Sequence, residues 1–359
     1  MKVAMFSPVW FPVPPDGYGG IEAIVSLLTE GLVEKGVEVT LFASGDSVTA
    51  AEHAYVFDSA PSDRIGETFW ELNHALGCLS RLDEFDLVHD HSGLLGLTLF
   101  GLTSVPLVHT VHGPLTGEAG AMYRLACSLT RNIGLVSLTQ AQRRPLPSLP
   151  WLANVHNAVD LARYPFGRTA GENLLFLGRM SPEKGAHRAI EVARLTGRRL
   201  LIAAKCRENG EQEYFDRAIR PELDNQVEYV GEVGHREKCE LLAEAHALLV
   251  PIDWEEPFGL VMIEALASGT PVIAFRRGSV PELLDDGRTG IVVDDIAGMA
   301  KAVEAVDALD PRVLRREVEA RFTPAHMVAG YLAAYERTLS ASDPGSHELK
   351  SLGRTTVRR

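Results

Sequence analysis

Along this chain, short runs rich in Val, Ile and Leu alternate with longer stretches in which apolar residues recur every three or four positions. Apolar runs of that kind read as strands buried on both faces, and the helical periods between them read as the helices that cover the sheet. The pattern predicts strands over 3–6, 37–42, 87–89, 107–111, 135–138 and 151–155 in the first half. In the second half it predicts strands over 174–177, 200–204, 227–230, 247–251, 272–275 and 291–293. Each series has the repetition of a doubly wound α/β domain, which binds ligands at the carboxyl ends of its strands. The join falls within 157–169, where Pro165 and Gly167 interrupt the periodicity. The chain therefore divides into an N-terminal domain over 1–165 and a C-terminal domain over 166–322. A last helix is expected over 324–340, with Thr323 as N-cap and Pro324 in the first position. The polar stretch 341–359 reads as disordered.

Composition changes this picture only at the edges. A length of 359 residues suits two domains. The net charge of -13 repels phosphate backbones, so nucleic acid is not an expected partner. A small anionic ligand stays open, because local geometry outweighs net charge in a closed site. Cys78, Cys127, Cys206 and Cys239 are scattered with no C-x-x-C pair, which points to a reducing, cytoplasmic setting. No signal-peptide pattern is read at the N-terminus, and no apolar run approaches the ~20 residues that span a bilayer. Lys350, Arg354, Arg358 and Arg359 would suit peripheral contact with an anionic membrane, but read first as a solvated end.

Four segments at strand ends carry candidate chemistry. Asp16-Gly17-Tyr18-Gly19-Gly20 follows the first strand and precedes an amphipathic helix marked by Ile21, Ile24, Val25, Leu28 and Leu32. Adjacent glycines allow close approach of a ligand, and the helix N-terminus offers free N–H groups. A plain tight turn explains them equally well. In Gly178-Arg179-Met180-Ser181-Pro182-Glu183-Lys184-Gly185, Ser181 and Pro182 are expected to open a helix. Arg179 and Lys184 then stand at the end of the macrodipole that disfavours cations, which calls for an anion between them, such as a pyrophosphate. The third segment runs from Glu255 to Glu264 and precedes a helix that stops at Gly269. Glu264 lies on an apolar face, where burial without donors is costly; paired ribose hydroxyls would supply them. Gly259 leaves the helix amides open, and Glu256 reaches toward the sugar end of the same ligand. The fourth is a histidine set: His89-Asp90-His91, His109, and His112 before Gly113. His89 and His91 share a side of their strand, but nothing fixes a tetrahedral metal site. His112 suits a donor lining the cleft, or a satisfied structural histidine.

With these residues in view, the sequence resembles the family 4 retaining glycosyltransferases of GT-B architecture. The carriers are Gly19-Gly20-Ile21-Glu22, Gly178-Arg179 with Lys184-Gly185, and Glu256-Pro257-Phe258-Gly259 running to Glu264. Asn157-Ala158-Val159-Asp160 and Ser268-Gly269-Thr270-Pro271-Val272 support them. The resemblance implies two Rossmann-like domains facing across a cleft, with the last helix crossing back to the N-terminal domain. It implies that Arg179 and Lys184 bind the diphosphate of a nucleotide-sugar donor, and that Glu264 holds its ribose. Glu256 and His112 would sit at the transferred sugar, with amides near Phe258, Gly259 and Leu260 on sugar and phosphate. Gly19 and Gly20 would close from the other domain. No cofactor and no metal are expected, since two cations and a helix N-terminus stabilise the leaving diphosphate.

The reaction implied is transfer of a hexosyl group from a UDP- or GDP-sugar, with retention, to a sugar, lipid or small-molecule hydroxyl. Two departures bear on this. Ala158 stands where relatives carry glycine, and Ala203-Ala204-Lys205 replaces a glycine-bearing strand end. Lys205 falls near the expected nucleotide pocket, which leaves the base open. The alternatives are a nucleotide-sugar-binding protein without transfer, and an epimerase or hydrolase acting on the donor itself. Without G-x-G-x-x-G, a dehydrogenase is disfavoured. Acceptor contacts are expected from the loops 44–66 and 112–131.

Overall fold

A computed structural model describes residues 1–166 and 171–342. The first half forms a seven-stranded parallel sheet from β1 (Lys2–Phe6), β2 (Glu38–Phe42), β3 (Glu52–Ala54), β4 (Leu87–Asp90), β5 (Leu107–Thr110), β6 (Ile133–Ser137) and β7 (Trp151–Asn154). Their order is β3-β2-β1-β4-β5-β6-β7. The second half forms a six-stranded parallel sheet from β8 (Leu174–Arg179), β9 (Leu200–Lys205), β10 (Val227–Gly231), β11 (Ala247–Val250), β12 (Val272–Phe275) and β13 (Gly290–Val293). Their order is β10-β9-β8-β11-β12-β13. Both orders reverse direction once, between β1 and β4 and between β8 and β11. Loops leaving neighbouring strands there diverge to opposite faces and open a crevice at the carboxyl ends.

All twelve expected strands are present, with ends shifted by up to two residues. The thirteenth, β3, was not expected. Its three residues, Glu-His-Ala, carry no apolar run, and it sits at the sheet edge, paired with β2 through Thr40–Phe42. The segments 44–66 and 112–131 are not plain loops: the first holds β3 and the second a helix over Gly117–Leu129.

The helix expected to start at Ser181-Pro182 begins instead at Ala186. Lys184 N bonds Ser181 O at 3.1 Å, closing a turn, and Gly185 at φ 85° then redirects the chain into the helix. Only glycine fits: a Cβ there would lie 2.3 Å from Pro251 O. The last helix spans Pro324–Ser342, two residues longer than expected, so Ala341 and Ser342 belong to it. The expected disorder over 343–359 lies outside the described residues. Tyr331 and Tyr335 of this helix are fully buried in the core of the N-terminal sheet, with Val3, Val108 and Val155. Gly31 of the helix Gly20–Glu34 leaves room for it, since a Cβ there would meet Val328 at 2.5 Å. Just before it, Phe322 packs in the core of the second sheet, so the chain passes between the domains at Thr323.

Candidate functional site

Both switch points face one cleft. A cavity of about 530 Å³ between the sheets is lined by Gly20, His112, Arg179, Lys184, Glu256, Phe258, Gly259 and Leu260, together with Glu22 and Trp254. A second pocket of about 170 Å³ adjoins it through Tyr18, Gly20, Gly178 and Leu260, and is lined by Gly19, Lys205, Lys238 and Glu264. The residues expected to touch the donor and its sugar therefore line one continuous cleft, whereas His89, Asp90, His91 and His109 are buried behind it.

The glycine-rich turn closes that cleft from the N-terminal side. Gly19 adopts φ 147° as the helix Gly20–Glu34 begins, and a Cβ on it would clash with Pro15 at 2.7 Å. Gly20 packs against Leu260 across the cleft, where a Cβ would lie 3.3 Å from Cδ1. Tyr18 N donates to Glu232 at 3.2 Å, and the Tyr18 ring lies over Lys205 at 5.1 Å. Lys205 itself is 2 % exposed and paired with Glu208 at 2.6 Å and Glu211 at 2.8 Å. It stands in the pocket wall as a neutralised cation.

The two cations beside Gly178 are not left without partners, as the sequence alone suggested. Arg179 Nη2 donates to Glu183 at 2.8 Å, while its Nε is buried with no hydrogen-bond partner. Lys184 Nζ meets Glu256 Oε2 at 2.5 Å and lies over the Trp254 ring at 4.6 Å. Trp254 Nε1 donates to the same carboxylate oxygen at 3.0 Å. The turn at Ser181–Gly185 aims Lys184 at Glu256, which a helix starting at Ser181 would not do. Beyond them the helix Leu260–Ser268 opens with Gly259 at φ 81°. Among the described residues, no protein acceptor bonds the Leu260 or Val261 amide, so this helix N-terminus is open to an anion. The Phe258 ring packs near His156 and Phe322, with ring centroids 6.0 and 6.2 Å apart.

Glu264 is corrected in one respect. Its burial does not depend on a ligand: Tyr164 donates to Oε1 at 2.9 Å and Lys238 at 2.5 Å. Burial and this carboxylate together push the Tyr164 hydroxyl well above its ordinary value, which keeps it a donor. Among the described residues no donor is placed on Oε2, the oxygen left to a ligand on the wall of the smaller pocket.

His112 lines the larger cavity, and burial lowers its imidazole to about 3, so the ring is neutral. His89 and His109 are structural. His89 lies between the Tyr335 and Thr110 hydroxyls at 2.7 and 2.8 Å, and His109 bonds Asp90 at 2.7 Å. Among the described residues no group of three His, Cys, Asp or Glu side chains is arranged to hold a metal ion.

Three residues of the site were not assigned from the sequence. Trp254 gave no local signal. Glu22 is 4 % exposed, and burial raises its carboxyl to about 8. Its position was legible, one residue past Ile21 and three before Val25, at the edge of an apolar stripe. Gly278 sits at φ 50° against the backbone of Glu256, where a Cβ would lie 2.4 Å from both N and O. Gly278→Ala is therefore expected to displace Glu256, lowering turnover at least tenfold and costing about 1–3 kcal/mol of stability. Steady-state kinetics and denaturant melts check this; wild-type values in both would show that the loop relaxes at no cost.

Comparison with known proteins shows the family and the fold. The Glycosyltransferase Family 4 model matches residues 18–163, and the Glycosyl transferases group 1 model matches residues 168–311. The chain is 32 % identical over 271 residues to a glycogen synthase of Mycobacterium tuberculosis, covering 66 % of this chain. It spans only 63 % of that relative's length. It is 30 % identical over 319 residues to a D-inositol 3-phosphate glycosyltransferase of Mycolicibacterium smegmatis, covering 77 % of this chain and 73 % of the relative. Among solved structures it resembles a glycosyltransferase involved in avilamycin A biosynthesis, with TM-score 0.69 and 26 % identity over 95 % of this chain and 98 % of the other. An Anabaena protein solved with UDP-glucose has TM-score 0.71 at 18 % identity, over 95 % of this chain and all of the other, and shares the fold. No helix among the described residues is long and apolar enough to cross a membrane. With its two parallel-sheet domains in the GT-B arrangement, the chain belongs to the group 1, family 4 glycosyltransferases.

Proposed function

We propose that this glycosyltransferase moves a hexosyl group from a nucleoside diphosphate sugar, of the UDP or GDP class, to a hydroxyl acceptor, with retention and without a metal. The observation that carries the reading is the layout of the cleft. Two cations and an open helix N-terminus converge on the 530 Å³ cavity, beside a pocket that ends on the Glu264 carboxylate. A diphosphate would span Arg179, Lys184 and the Leu260 and Val261 amides, with its ribose on Glu264 and its sugar against Glu256 and His112. Arg179 Nε has no hydrogen-bond acceptor and meets Glu211 only at 4.0 Å, so a bound anion would give the guanidinium a closer partner. The bond between the anomeric carbon and the phosphate oxygen breaks, and the acceptor oxygen bonds that carbon. In a front-face course the departing phosphate oxygen takes the acceptor proton, so that route needs no separate base. Charge on the leaving group is stabilised by groups already in place. The Anabaena neighbour, solved with UDP-glucose, supports the donor class only as a relative of this fold.

The test is titration and product assay with UDP-, GDP- and ADP-sugars in the presence of a chelator. One donor class should bind, and Glu256→Gln should lower turnover by about 10²-fold while donor affinity changes only a few-fold. Donor consumed equally fast without any acceptor would instead favour a hydrolase or epimerase. Absence of binding to every nucleotide sugar, with or without metal, would overturn the reading.

A further inference from the structure

At their carboxyl ends β4 and β5 run side by side, with Asp90 opposite His109. This brings His89, Asp90, His91, His109 and His112 into one cluster. His89, Asp90 and His109 are saturated by their partners, but His91 is not. Its Nδ1 lies 2.9 Å from His112 Nε2, while its own Nε2 is buried with no hydrogen-bond partner. The rings of His89 at 4.1 Å, His112 at 5.1 Å and Tyr331 at 6.3 Å surround it. Burial, reinforced by these neighbouring imidazoles, holds His91 well below its ordinary value, and His112 is likewise neutral.

Two neutral imidazoles sharing one hydrogen bond contribute one N–H and one lone pair to it. With His112 as donor, His91 would carry its proton on Nε2, leaving a buried N–H without an acceptor. With His91 as donor through Nδ1, the orphaned atom is only a lone pair. A buried N–H without a partner is the rarer and costlier case. The second arrangement puts the proton of His112 on Nδ1. That nitrogen has no protein partner among the described residues, and its ring lines the cleft.

We propose that His91 is a positioning residue that fixes His112 as its Nδ1–H tautomer, presenting a neutral N–H donor to an oxygen of the sugar held in the cleft. The sugar contact rests on the transferase reading above; the tautomer does not. A neutral donor suits a site where positive charge develops at the anomeric carbon, because an imidazolium there would oppose that charge. The crossing helix supports the arrangement from behind. Tyr335 and Tyr331 hold His89 and Thr110, and the His89 ring packs on His91.

Long-range ¹⁵N–¹H spectra of ¹⁵N-histidine-labelled full chain read the tautomer directly, with or without substrate. His112 is expected as Nδ1–H in the wild type and in His91→Asn, whose amide N–H replaces the imidazole donor. It is expected as Nε2–H or a mixture in His91→Ala. In the transfer assay His91→Ala should lose roughly tenfold in kcat/KM, the size of one hydrogen bond, with His91→Asn recovering most of it. Adding His91→Ala to His112→Ala should cost nothing further. Melting curves identify a variant that merely fails to fold, and the wild-type spectrum then decides alone. A wild-type His112 protonated on Nε2, or an unchanged tautomer in folded His91→Ala, would overturn the proposal. A correct tautomer with no donor binding would leave it standing and sink the transferase reading instead.

Discussion

Arg179→Ala and Lys184→Ala are each expected to lower kcat/KM for sugar transfer by about 10²–10³-fold, the usual loss when one preorganised donor to a developing oxyanion is removed. Little stability should be lost with Arg179, whose ion pair with Glu183 in the following turn is partly open to solvent. Lys184→Ala should cost more folding energy, on the order of 1–2 kcal/mol, because it strips the nearly buried Glu256 carboxylate of its cation and leaves it only the Trp254 N–H. Arg179→Lys should not restore full activity. The guanidinium hydrogen-bonds Glu183 through Nη2 while its Nε faces Glu211 at 4.0 Å, a two-sided geometry that an ammonium does not reproduce. Titration with the nucleoside diphosphate alone separates the contributions: affinity should fall in both variants. Undiminished diphosphate affinity in both would move the anion site elsewhere.

The second large effect concerns Glu22, whose carboxyl is raised from 4.5 to about 8 by burial, against the smaller opposing pull of its own backbone N–H. The unfolded chain releases this proton near 4.5, while the folded protein keeps it until about 8. Through that window the folded state binds more protons, so stability falls as pH rises, by about 1.4 kcal/mol per unit, and levels off above the folded value. Glu22→Gln keeps the shape and one N–H donor but cannot ionise. It should flatten the slope and exceed wild type by roughly 3 kcal/mol at pH 8, while matching it near pH 5. Urea unfolding at the two pH values measures both. Parallel stability curves would mean that cleft water solvates the carboxylate. Glu22 lines the cleft. A neutral carboxyl there offers a hydroxyl one donor and one acceptor.

Much of the fold was legible because the strands that build it are buried on both faces and so appear as uninterrupted apolar runs. β11 and β12, Ala247–Val250 and Val272–Phe275, are fully buried and were read almost to the residue. β3 failed the same reading because an edge strand of three residues is made by backbone pairing to β2, not by its side chains. The helix start after β8 was misplaced for a related reason. Ser181-Pro182 has good local capping chemistry, but the close approach of Pro251 O at Gly185 sets where the helix begins.

The sequence by itself determined the two doubly wound halves, the glycines that open the helix N-termini, and the positions of the charged residues at the strand ends. These follow from local periodicity and from the backbone freedom of single residues, both carried by neighbours within a few positions. Only the tertiary structure decided how those charges are spent. Lys184 meets Glu256 across 72 positions, Tyr164 meets Glu264 across 100, and Tyr335 meets His89 across 246. Protonation state follows from the same long-range arrangement. Glu22 and His112 are ordinary side chains whose charge is removed by burial, and both line the cavity between the two sheets. No local pattern encodes the dielectric around a residue; it is set when distant segments pack and exclude water.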